Sequence, residues 1–108
     1  MKLLSRNEEL VLATIWRLQG NAYGVTIKDA LNELSEKKWS FGAVYMPLDQ
    51  LTQKEYVRKY ESAPTGMRGG RSKVMYELTE DGKVALKEIR AIQNALWKDM
   101  PDFALGGK

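Results

Sequence analysis

The chain has 108 residues, with 17 basic and 14 acidic side chains, no cysteine and no histidine. Its net charge of +3 permits a nucleic-acid partner without requiring one. The missing residue types exclude disulfides, thiolate or Ser-His-Asp catalysis and Cys/His metal sites, and the length suits one domain around one core.

No metal or cofactor is expected. No apolar run is long enough to span a membrane, and none of signal-peptide length follows Met1. The expected chain is therefore soluble and cytoplasmic.

Residues 6–19 are predicted as the first helix. Ser5 and Glu8 form a capping box at its start. Leu4, Val11, Ile15 and Leu18 share one face, Leu12 and Trp16 lie beside it, and Gly20-Asn21 stops the helix. A second helix is predicted from Thr26, as its cap, to Lys37, burying Ile27, Leu31 and Leu34. A third spans about 42–55, capped by Ser40 and buried through Val44, Leu48 and Leu51. Pro47 removes one backbone bond there.

Two strands follow, 56–61 and 72–78, with Val74, Tyr76 and Leu78 expected on one side and Lys73, Met75 and Glu77 on the other. Between them lies the tip PTGMRGGRSK (64–73), which reads as an exposed loop. Thr79 caps a last helix over 80–98. Residues 101–108 are expected to be a flexible tail. The fold class is mainly α (α+β): a winged helix-turn-helix with a two-stranded wing and a C-terminal dimerisation helix. Residues 1–79 would form the DNA-binding part and 80–100 the dimerisation helix of the same compact unit.

The charge is unevenly placed. Residues 54–73 hold six cations and two anions, a surplus of +4, while the rest of the chain sums to −1. Arg68, Arg71 and Lys73 lie in the loop with no anion beside them, next to glycines that let backbone approach a duplex. On the third helix the outward face offers Tyr45, Gln50, Gln53 and Lys54. Glutamine pairs with adenine, lysine with phosphate or guanine, and tyrosine donates to phosphate. These seven residues are the candidate DNA contacts. Neighbouring carboxylates at Glu8-Glu9 and Glu80-Asp81 sit at helix starts, where the helix dipole accounts for them, so no enzyme is expected.

The last helix is apolar on two adjacent stripes. Leu86, Ile89, Ile92, Gln93, Leu96 and Trp97 are the residues expected to pack against a second copy, because a helix with two apolar faces needs two partners.

Three stretches resemble the PadR family of bacterial transcriptional regulators. AYGVTI (22–27) is similar to its turn into the second helix. GAVYMPLDQL (42–51), followed by Tyr56-Val57, is similar to its recognition helix. GGRSKVMYELTEDGKVAL (69–86) is similar to its wing and exit, with Tyr76, Leu78, Thr79, Gly82 and Leu86 in register. The resemblance covers about residues 5–98. Ala43, Pro47, Asp49, Gln50 and Glu55 depart from the family pattern.

The resemblance implies a winged-helix homodimer that binds double-stranded operator DNA as a repressor, of the branch with one short C-terminal helix. Small members of that family also hold planar aromatic effectors at the dimer centre. Trp16 and Trp97 are the candidates for such a pocket here, although Trp97 stands about one turn later than the family's tryptophan. The rival reading is a winged-helix dimer that binds an apolar effector or a protein and has little DNA affinity.

Overall fold

The computed structural model describes residues 2–62 and 72–101. Four helices and a two-stranded antiparallel sheet follow in the order α1 (Arg6–Leu18), α2 (Gly24–Leu34), α3 (Phe41–Gln53), β1 (Val57–Glu61), β2 (Val74–Leu78) and α4 (Glu80–Trp97). This is the winged helix-turn-helix with its C-terminal helix. The expected tail from residue 102 onward lies outside the described residues.

The capping box of α1 forms: the Ser5 N–H donates to Glu8 Oε1 at 2.6 Å and the Glu8 N–H to Ser5 Oγ at 3.2 Å. α1 stops where Gln19 and Gly20 turn left-handed, with φ of 45° and 87°. The second helix starts earlier than expected. Thr26 is not its cap but stands within its first turn, where its Oγ1 accepts the Tyr23 N–H at 3.0 Å. The same helix ends at Leu34 rather than Lys37, and Leu34 is exposed rather than buried. Its end is set by Trp39. That ring is 2 % exposed, its backbone N–H donates to Asn32 Oδ1 at 2.6 Å, and its indole N–H donates to Ser35 Oγ at 3.1 Å. Burying this ring turns the chain back before the helix can continue.

α3 runs through Pro47, which is packed on the buried side with Val44, Leu48 and Leu51. These meet Val11, Leu12 and Ile15 of α1 and Ile27 and Leu31 of α2 in one core, joined by Val57, Tyr76 and Leu78 from the hairpin. The strands pair from Val57↔Leu78 to Glu61↔Val74, and Ser62 and Lys73 extend the pairing by one backbone bond of 2.8 Å.

The simple alternation expected for β2 is corrected. Met75 is buried and Val74 is 48 % exposed. The cause is a third segment along this strand: Tyr23 bridges to Met75, and the Tyr76 N–H donates to the Ala22 carbonyl at 2.9 Å.

α4 docks only by its first turns. Gly82 and Ala85 are its buried residues, and every residue from Arg90 to Pro101 is exposed. No helix among the described residues is long and apolar enough to cross a membrane.

Candidate nucleic-acid interface

α3 begins at Ser40, whose Oγ accepts the Ala43 N–H at 3.1 Å. With Val44, Leu48 and Leu51 turned inward, helical periodicity sends Gly42, Met46, Asp49, Gln50 and Gln53 outward, and all five are exposed. Met46 stands near the middle of this stripe and is 66 % exposed.

Tyr45 sits on the edge of the stripe. Its ring stacks with Phe41, centroids 6.3 Å apart. Its phenol lies so close over Gly24 that a methyl group there would come within 2.8 Å of the ring. The bare Cα of Gly24 is thus what lets the tyrosine of α3 lean on the start of α2.

Cations border this face. The Lys28 ammonium is 5.0 Å from the centre of the Phe41 ring. The Lys73 ammonium lies 4.4 Å from the centre of the Tyr23 ring, at the base of the wing. Lys37 and Lys38 are exposed in the α2–α3 turn. Arg58 is spent on its cross-strand partner Glu77, whereas Lys59 and Lys73 have no carboxylate partner among the described residues. Behind the face, burial and then the neighbouring Tyr45 and Asp49 push the Tyr76 phenol up, so it stays a neutral core ring.

Lys54 is half-buried, and its ammonium is engaged within the chain. It donates to both oxygens of Glu8, at 3.0 and 2.8 Å, and to the Leu3 carbonyl at 2.9 Å. Burial would raise the pKa of Glu8, but hydrogen bonds from Lys54 and Ser5 and the charge of Lys54 outweigh it and hold the carboxylate below its ordinary value. Lys54 therefore ties the end of α3 to the start of α1.

The structure thus brings together Tyr45, Gln50 and Gln53 on one surface and places Lys73 at the wing base. Arg68 and Arg71 lie outside the described residues. The sequence reading missed Lys28 and Phe41. The signal for them was there: Phe41 follows the Ser40 cap, and Lys28 lies on the α2 turn that a helix-turn-helix sets against it.

A second feature lies on the opposite side. A mostly apolar groove of about 790 Å³ runs between α1 and α4, lined among others by Trp16, Leu78, Val84, Leu86, Ile89 and Gln93. Trp97 lies beyond this lining, so one chain does not bring the two candidate effector tryptophans together around it. Beyond the groove, Ile92, Leu96 and Trp97 are more than half exposed.

The model of the transcriptional regulator PadR-like family matches residues 11–88. A PadR family transcription regulator from Clostridium difficile superposes with a TM-score of 0.74 at 26 % identity, over 89 % of this chain and 95 % of that one. A PadR-like transcriptional regulator from Bacillus cereus gives 0.71 at 21 %, over 85 % and 84 %. The circadian clock associated protein Pex from Anabaena shares the fold, with a TM-score of 0.61 at 20 % identity over 89 % and 84 %. No curated protein matches the chain.

Proposed function

Because the chain belongs to the PadR-like family of DNA-binding transcriptional regulators, we propose that it acts in the cytoplasm as a homodimeric repressor on a roughly palindromic site. The outward stripe of α3 enters the major groove, and the wing tracks the backbone. Two copies address half-sites about one helical turn apart. The observation that carries this reading is the exposed α3 face with the cations Lys28 and Lys73 near it. Lys59, Lys73, Arg68 and Arg71 are assigned to phosphates, which supply most of the affinity and make it salt-dependent. Tyr45, Gln50 and Gln53 are assigned to the reading face.

The second copy is proposed from α4. Its outer half carries Ile92 and Leu96 toward solvent, with Met100 just past its end, an apolar stripe that a soluble monomer rarely leaves uncovered. Leu86, Ile89 and Gln93 continue it into the groove beside Trp16. A partner's α4 laid along this stripe would cover it and close the groove, leaving an apolar space suited to a small aromatic effector. The rival reading, effector or protein binding without useful DNA affinity, is favoured by Asp49 on the reading face and by the diversion of Lys54.

Fluorescence anisotropy against salt, on duplexes from the upstream region, separates the two. The expected binding weakens steeply with salt, and Arg68→Ala with Arg71→Ala lowers the logarithmic slope by about two. Salt-independent or undetectable binding would establish the rival instead. Light scattering is expected to give twice the 12.3 kDa chain mass, and a monomer at micromolar concentration would overturn the dimer.

A further inference from the structure

The reading helix is unusual in its chemistry. From Phe41 to Gln53 it contains no lysine or arginine, and its one charge is Asp49. The nearest cation in the chain beyond its end, Lys54, is held by Glu8. Guanine is read most often by a bidentate arginine or lysine on its O6 and N7, and this helix has neither to offer. Its centre is Met46, an apolar side chain 66 % exposed, with Gly42 one turn before it and Asp49 and Gln50 after it. A large apolar group at the middle of a DNA-facing stripe has one apolar target in the major groove, the C5-methyl of thymine.

Resting on the DNA-binding reading above, we propose that α3 recognises its half-site chiefly through thymine C5-methyl groups, with Met46 as the specificity-determining residue. Gln50 and Gln53 act in the same sense. Each presents an amide suited to the N6 and N7 of adenine, whose paired thymine places its methyl on the same groove edge. Gly42 adds no side chain, so the backbone of the first turn can approach the bases while Met46 reaches down. Asp49 keeps the helix from settling on a phosphate row, since its carboxylate is repelled there. The nearby cations Lys28 and Lys73 hold the phosphates instead.

The test uses a duplex selected by the full chain from a randomised library. It is then synthesised with thymine or with uracil, which differs only by the missing methyl. Each methyl contact is expected to be worth about fourfold in affinity, the value of one buried methyl group. The wild-type chain should therefore prefer the thymine duplex by at least that factor, and Met46→Ala should bind both duplexes alike. Met46 is exposed, so this variant is expected to fold normally.

Equal binding of both duplexes by the wild type, with sequence-specific and salt-dependent binding retained, overturns the methyl reading alone. So does a selected half-site without A·T pairs. A thymine preference that survives in Met46→Ala overturns the assignment to Met46. Failure to select any sequence, or binding of no duplex at all, overturns the DNA-binding reading itself.

Discussion

Replacing Gly82 with alanine is expected to lower the melting temperature by about 10–20 °C, the effect of about 3 kcal/mol on a domain of this size. Helix propensity argues for the opposite sign. Gly82 lies in the first turn of α4, where alanine should gain up to about 1 kcal/mol. The packing decides against it. A Cβ on Gly82 would overlap the carbonyl of Tyr56 and stand 2.9 Å from its carbonyl carbon. These are backbone atoms, so no side chain can swing away.

That carbonyl is already engaged. It accepts the Thr79 N–H at 3.1 Å, while Thr79 Oγ1 donates to the Glu55 carbonyl at 2.6 Å and accepts the Gly82 N–H at 3.0 Å. Moving Tyr56 would therefore pull on the cap of α4 and the start of β1 together. Gly42→Ala is the matched control. Among the described residues only Ser40 Oγ, at 3.9 Å, comes near a Cβ there, so the same substitution should leave the melting temperature unchanged or slightly raised. Thermal melts followed by circular dichroism decide it. A Gly82→Ala chain that melts with the wild type would show that the contact relaxes at little cost.

Gly82 also shows where sequence reading succeeds and why. Its place in the wing-and-exit pattern was visible, but the reason for it, a carbonyl 26 positions back in the chain, was not. Local signals were legible: the Ser5–Glu8 box, the Ser40 and Thr79 caps and the buried stripe of α3 all depend on residues three or four apart. The failures are non-local. Thr26 has the chemistry of a cap, yet the bridge of Tyr23 to Met75 draws the chain into helix earlier and leaves Thr26 inside the first turn. Leu34 fits the buried period, yet Trp39 takes the space that ends α2. Of the candidate site, the outward face of α3 followed from periodicity alone. The fate of Lys54 did not, because its partner is 46 residues away.

Lys54→Met is expected to cost about 3 kcal/mol near pH 7 and to weaken the chain's response to acid at this site. Glu8 is 2 % exposed and Lys54 supplies its countercharge, so removing the lysine leaves a buried carboxylate with Ser5 as its remaining support. In the wild type the folded pKa of Glu8 lies below its unfolded value. Its contribution is then complete above the unfolded pKa and is lost as pH falls through the folded one. In the variant the Ser5 bonds alone oppose burial, so the folded pKa rises toward the unfolded value and protonation costs the fold less. The deficit of Lys54→Met relative to wild type should therefore shrink between about pH 7 and pH 4, as read from urea midpoints. Glu8→Gln removes the buried charge itself, so it should cost less, about 2 kcal/mol, and titrate flat at this position. Parallel pH profiles for Lys54→Met and wild type would mean that the ion pair contributes nothing. The same variant checks the interface: with its ammonium bound to Glu8, Lys54 is expected to contact no phosphate, and its loss should leave the salt slope of DNA binding unchanged. A slope lower by about one would return Lys54 to the DNA.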